Sequence, residues 1–263
     1  MTGIVVGSRI LAFEPSWRSF SSIQGGLLVG HLLDAATGLA GAPPRTVAAH
    51  LLGPVRPEAA VTLGASVDRP GRTASVRATL TQDGVLRATA QVLTVAVPAT
   101  PVSVHGSPRP GDRPGDGEPF ALPRDLVPIA DQIEIRALGA HRPLAGGDEP
   151  RLTAWVRIHG DLPPLVRLGV LFDALPPSLF AVRTTPLPMP TAELTAHVAG
   201  AAPGPEAWVR IDQWTVWHDA DVAVDDAELR TEDGALLARV RQTRRIPRPA
   251  SRTPPPNGEV RLP

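Results

Sequence analysis

Two stretches far apart in the chain repeat one pattern. Leu80–Val92 reads LTQDGVLRATAQV and Leu229–Gln242 reads LRTEDGALLARVRQ. A second pair precedes them, AAHLLG at Ala48–Gly53 and TAHVAG at Thr195–Gly200, and the step from His50 to Asp83 is close to that from His197 to Asp233. Such self-similarity predicts two copies of one supersecondary unit. Asp83-Gly84 between alternating runs signals a β-hairpin. The first copy reads as strand and loop over 1–21, a helix over Ile23–Gly38 capped by Ser21 or Ser22, then strands at Arg45–Leu52, Val61–Asp68, Thr73–Thr81 and Val85–Val97. The second reads as a strand near Pro150–Gly160, a helix, then strands at Thr191–Ala202, Glu206–Trp217, Asp221–Thr231 and Ala235–Ile246. Residues 98–128 and the tail from 248 are rich in Pro and Gly, as a flexible linker and a disordered terminus are. The boundaries are therefore 1–97, 98–128, 129–247 and 248–263.

The second helix is LVRLGVLFDALPP, Leu165–Pro177. Pro163 and Pro164 suit its start, and Pro176 and Pro177 stop it. Apolar residues cover most of its circumference, which places it inside a core. Asp173 then sits badly, because a carboxylate there faces the negative end of the helix dipole and loses water. It reads either as a functional group or as a solvated helix end. The first helix carries four glycines, Gly25, Gly26, Gly30 and Gly38. Either something approaches their backbone closely, with first-turn N–H groups free for an acceptor, or they serve packing.

Twenty-six basic and 26 acidic residues cancel, so no charge imbalance argues for nucleic acid. There is no Cys and every basic residue is Arg, which excludes thiol and lysine nucleophiles and thiolate metal sites. No stretch is long and apolar enough to span a membrane, and the N-terminus lacks a signal-peptide pattern, so a cytoplasmic location is the default. Phosphate loops, nucleophile elbows and HExxH are absent.

Along the last strand Leu236, Ala238 and Val240 share one face and Gln242 continues it. A buried amide needs a partner. Asp173 is one candidate and Thr191 another. An acid, a hydroxyl and an amide meeting at one helix–sheet seam could hold a water, with the Asp as general base. His50 and His197 read as ordinary strand histidines. Trp155, Trp208, Trp214 and Trp217 read as core rather than as a ligand platform.

The chain resembles the TesB-like acyl-CoA thioesterases of the thioesterase II type. The resemblance lies in QGGLLVGHLL at Gln24–Leu33, Ala49-His50 followed by Val55-Arg56-Pro57, AWVRIHGDLPPLVRLGVLFDALPP, and the last hairpin, TEDGALLARVRQ. It departs at Glu58, where the family usually has Gly, and at Glu193-Leu194-Thr195, where Asp-His-Ser is typical. The resemblance implies an α+β double hotdog, two antiparallel sheets each wrapped around a long central helix and joined by the linker. It implies hydrolysis of an acyl-CoA or acyl-carrier thioester by a water held between Asp173, Thr191 and Gln242, with Thr195 the alternative hydroxyl. N–H groups near Gly25 and Gly26 would serve the oxyanion. No metal or organic cofactor is required, and further association into a homo-oligomer is compatible. Two other classes fit the same residues: a non-catalytic acyl-CoA or lipid binder, and an accessory protein of a biosynthetic pathway.

Overall fold

The computed structural model describes residues 5–97, 111–120 and 123–247. In chain order the strands and helices are β1 (Val5–Leu11), β2 (Arg18–Ser19), β3 (Ser22–Ile23), α1 (Gly25–Ala40), β4 (Pro44–Leu51), β5 (Val61–Arg69), β6 (Thr73–Gln82), β7 (Val85–Val95), β8 (Glu118–Phe120), β9 (Ile133–Leu138), β10 (Arg151–Ile158), α2 (Pro164–Phe172), β11 (Thr191–Val198), β12 (Val209–His218), β13 (Val222–Thr231) and β14 (Leu236–Arg245). Twelve strands form one antiparallel sheet in the order β1-β5-β6-β7-β4-β11-β14-β13-β12-β10-β9-β8, and β2 pairs with β3 alone.

This order is the same series written twice. β1-β5-β6-β7-β4 runs outward-in from one edge, and β10-β12-β13-β14-β11 mirrors it from the other side. The predicted hairpin is the β6–β7 turn, with Asp83 at φ 54° and Gly84 at φ 73°, both left-handed as the tightest hairpin turns require.

Two expectations need correction. The halves do not keep separate sheets. β4 pairs antiparallel with β11, Ala49 opposite Leu194 and Val47 opposite Ala196, and makes the sheet continuous. Each half would otherwise expose the unpaired N–H and C=O groups of an edge strand. Nor are both helices long, since α1 has 16 residues and α2 only 9. Past Phe172 a loop with a single tight turn, Ser178–Val182, covers the sheet instead, burying Leu175, Leu179 and Phe180.

The linker reading also changes in part. Asp112 accepts from the Trp155 indole at 3.1 Å and pairs with Arg210 at 2.9 Å, and β8 adds a strand beside β9. Its remaining residues, 98–110 and 121–122, and the tail 248–263 lie outside the described residues. Of the four second-half tryptophans only Trp155 is core, while Trp217 is 51 % exposed and Trp208 lies under the guanidinium groups of Arg136 and Arg157. The cap of α1 is Gln24, not Ser21 or Ser22. Glu58, in place of the family's Gly, sits at φ 59°, a conformation that disfavours a side chain.

Gly26 and Gly30 of α1 face α2. A Cβ on Gly30 would lie 2.6 Å from the Val166 carbonyl oxygen, one on Gly26 2.4 Å from that of Gly169, and one on Gly169 2.3 Å from the Gly30 Cα. Both helices share one apolar core with the inner faces of both halves. The close approach expected of these residues is thus between helices. The Gly169→Ala variant forces two backbones apart, and such overpacking costs about 1–3 kcal/mol. Urea unfolding of this variant is expected to show that loss, whereas Gly38→Ala, where a Cβ meets open space, should unfold no more easily than wild type.

Candidate active site

The crossing lays the end of α2 against the start of α1. Asp173 follows the last residue of α2, with φ −130° and ψ 28°, and its side chain is 11 % exposed. Gln24 joins the two helix ends. Its Oε1 accepts from the Leu27 N–H at 2.8 Å, and its Nε2 donates to the carbonyls of Val170 at 3.1 Å and Asp173 at 2.8 Å. Two free helix ends thereby satisfy each other. The Gly26 N–H donates to Asp173 Oδ2 at 3.2 Å. The positive end of α1 meets the carboxylate that the negative end of α2 disfavours.

Thr191 Oγ1 donates to Asp173 Oδ1 at 3.3 Å. Strict alternation would put Thr191 on the face opposite the inward Leu194. The register explains the exception: Thr191 faces Arg244 and Glu193 faces Thr243, so Ala192 is an extra residue. A bulge of this kind re-aims a side chain. Thr195 points the other way and bonds Glu193 Oε1 at 2.5 Å, as Thr243 bonds Oε2 at 3.1 Å. The hydroxyl beside Asp173 is that of Thr191.

Gln242 lies on the inner row of β14 as the alternation required and is 2 % exposed. Its Nε2 donates to the Phe172 carbonyl at 2.5 Å, and its Oε1 is buried without a partner among the described residues. The row continues to Arg244, which sequence reasoning missed although period two leads straight to it. Arg244 is 4 % exposed. Its Nε donates to Asp225 Oδ2 at 2.9 Å, its Nη1 to Thr191 Oγ1 at 3.1 Å, and its Nη2 stands 3.6 Å from Asp173 Oδ1. Asp225, also buried, accepts from Thr215 Oγ1 at 2.8 Å and from the Ser178 N–H at 3.4 Å.

Burial raises the pKa of Asp173 above the ordinary carboxylate value. Opposing it, in falling order, are the Arg244 charge, the Gly26 N–H, the Thr191 hydroxyl and the Gln242 amide. The Gly26 and Leu27 N–H groups are both engaged within the protein. Gly26 is therefore committed to the acid rather than to a substrate oxygen.

The other copy builds no such cluster. Asp34 follows Gly30 by four residues as Asp173 follows Gly169, but its carboxylate is 3.8 Å from Arg9 and more exposed. Aligned on the Asp-Gly turns, Gln242 and Arg244 correspond to Val92 and Thr94. His50 and His197 are exposed on the strands that join the halves.

A helix crossing backed by a long antiparallel sheet, with an acid at the crossing, defines a hotdog-type architecture. Residues 13–97 match the acyl-CoA thioesterase N-terminal domain and residues 101–246 the C-terminal domain, so the chain belongs to the acyl-CoA thioesterase family. Its fold is similar to that of a candidate thioesterase II from Thermobifida fusca YX (TM-score 0.81, 20 % identity, 94 % of each chain covered). It is also similar to a hot dog fold protein of unknown function from Alicyclobacillus acidocaldarius (0.82, 17 %, 93 % of this chain and 96 % of that one). The acyl-CoA thioesterase II TesB2 from Mycobacterium marinum matches at 0.64 with 16 % identity, over 88 % of this chain and 92 % of that one. Comparison with curated protein sequences finds no match. No helix among the described residues is long and apolar enough to cross a membrane.

The raised Asp173 pKa has a consequence for stability. The folded protein holds this proton more tightly than the unfolded chain does. The contribution is therefore full below the unfolded value, about 3.9, and is lost as pH rises through the folded one. Asp173→Asn has no such dependence at this position. Urea unfolding should show the variant gaining on wild type between pH 4 and pH 7.5; an unchanged difference would contradict the burial effect.

Proposed function

We propose that the protein hydrolyses acyl-CoA thioesters, with Asp173 as general base and Thr191 and Gln242 as the groups that orient the acid and the water. The supporting observation is the Asp173 carboxyl, 11 % exposed, with the Thr191 hydroxyl and the Gln242 amide both bearing on it, while Gln242 Oε1 has no partner among the described residues. The donors around it are already assigned. Thr191 gives its proton to Asp173, and the Gln242 amide donates to a backbone carbonyl. A water between them has two acceptors for its protons, Gln242 Oε1 and the carboxylate, which leaves an oxygen lone pair for attack.

The water oxygen bonds to the thioester carbonyl carbon as Asp173 takes a proton. The tetrahedral intermediate then expels the thiolate, which takes that proton from Asp173 and leaves as free thiol, and the acid is released. The bonds described above leave the Gly25 N–H over in the first turn of α1, and it serves the oxyanion. A Cβ at Gly25 would lie 2.5 Å from the Leu51 side chain and 3.1 Å from Asp173 Oδ2, so the bare glycine lets Leu51 and the acid close against this N–H. The acyl group runs into the apolar seam between helix and sheet, and the thiol portion is either CoA or a carrier-protein arm.

In this reading the chain is a double hotdog, with an N-terminal repeat over 1–97, a C-terminal repeat over 129–247, and one site built where they meet. Purified protein is expected to release free thiol from an acyl-CoA panel. Asp173→Asn should lose about 10²–10⁴-fold in kcat, the usual worth of a general base. Because the base must be ionised, kcat should rise with pH along a limb above the ordinary carboxylate range, then level off. Binding across the panel without thiol release would instead favour a non-catalytic acyl-CoA binder.

A further inference from the structure

We propose that Arg244 is a positioning residue, which holds the Thr191 hydroxyl in one orientation and keeps Asp173 available as a base, and that Asp225 sets how strongly it does so. The proposal rests on the thioesterase reading for its kinetic meaning but not for its geometry.

Arg244 is buried between two carboxyls. It donates to Asp225 through Nε and to Thr191 through Nη1, while Nη2 stands near Asp173 without a hydrogen bond. Burying a guanidinium is costly unless it is paired, and Asp225 provides a fully hydrogen-bonded partner for it. Asp225 is itself held by Thr215 and the Ser178 N–H. The run Thr215, Asp225, Arg244, Thr191, Asp173 therefore has a direction. Arg244 cannot accept, so Thr191 accepts from it, and the single hydroxyl proton is left for Asp173. Without Arg244 that hydroxyl could turn and donate elsewhere.

Charge is the second part. From α1, Asp173 meets Gln24, Gly25 and Gly26; from β4, Leu51 lies alongside; from β11, Thr191; from β14, Gln242 and Arg244. Arg244 is the one charged group among the described residues that bears on the carboxyl, and Asp225 stands behind it on β13. An opposite charge at this range holds an acid's pKa down by about 1–3 units. Asp225 competes for the same cation. Removing Arg244 should thus raise the Asp173 pKa further, and removing the Asp225 charge should lower it. A purely structural role for the pair predicts no opposed shifts.

The experiment uses Arg244→Met, Arg244→Lys and Asp225→Asn in the full chain. Asp173 is titrated by carboxyl ¹³C NMR, its resonance identified by loss in Asp173→Asn, and kcat and KM for thiol release are followed against pH. In Arg244→Met the titration and the acid limb of kcat should move up by about one pH unit or more. Plateau kcat should fall about tenfold with KM within twofold, and Arg244→Lys should return the limb toward wild type. Asp225→Asn should move both downward. If Arg244→Met does not fold, the direction of the Asp225→Asn shift decides. An Asp173 titration unmoved in folded Arg244→Met, or an upward or absent shift in Asp225→Asn, overturns the proposal. Absence of thiol release by wild type would instead overturn the thioesterase reading, and the NMR titration would still judge Arg244.

Discussion

The structure depends on the contact between α1 and α2 through bare glycine backbone. With Gly26 and Gly30 on one side and Gly169 on the other, no Cβ stands between the helices. Any side chain there would lift the end of α2 away from the start of α1, and Asp173 would lose the Gly26 N–H and the Gln24 bridge together. Gly in a helix costs roughly 0.5–1 kcal/mol against Ala. Here the close approach brings the ends of two helix dipoles into register, which no other residue permits.

Asp173 is the point where opposing effects meet. Burial favours its neutral form, whereas one guanidinium, one backbone N–H, one hydroxyl and one amide favour the charged form, and burial prevails. Such a carboxyl holds a proton more readily than an ordinary one, whereas a carboxylate stabilised far below its ordinary pKa has little tendency to accept one. The same imbalance works against stability above the Asp173 pKa.

Much of this was legible in the residues, and the reasons differ. The β6–β7 hairpin was, because Asp83-Gly84 takes positive φ at both positions and few dipeptides allow it. Gln242 was, because period two in a half-buried strand leaves little choice of face. Thr191 reached its place by a bulge that no pattern of polarity announces, and strict alternation from Leu194 points it outward. The continuity of the sheet was hidden for another reason. β4 and β11 each read as an ordinary strand, and pairing between copies is decided by which edges are left uncovered. The end of α2 was read too long because Ala174 and Leu175 continue the apolar run up to the prolines, whereas the helix stops at Phe172.

Of the acids at corresponding places on the two helices, Asp173 is 11 % exposed and Asp34 32 %, and the strands around them differ. Both copies keep the Gly-x-x-x-Asp spacing on their helices, at Gly30–Asp34 and Gly169–Asp173. The spacing alone does little. In the first copy the inner row of β7 ends in Val92 and Thr94, where the second has Gln242 and Arg244. Asp34 faces an exposed Arg9 at 3.8 Å and stays near solvent. Asp173 could move into the core only because β14 supplied a buried cation and amide, and β11 a bulged hydroxyl, to offset its desolvation. The environment of the acid is therefore a property of the strands around the helix end.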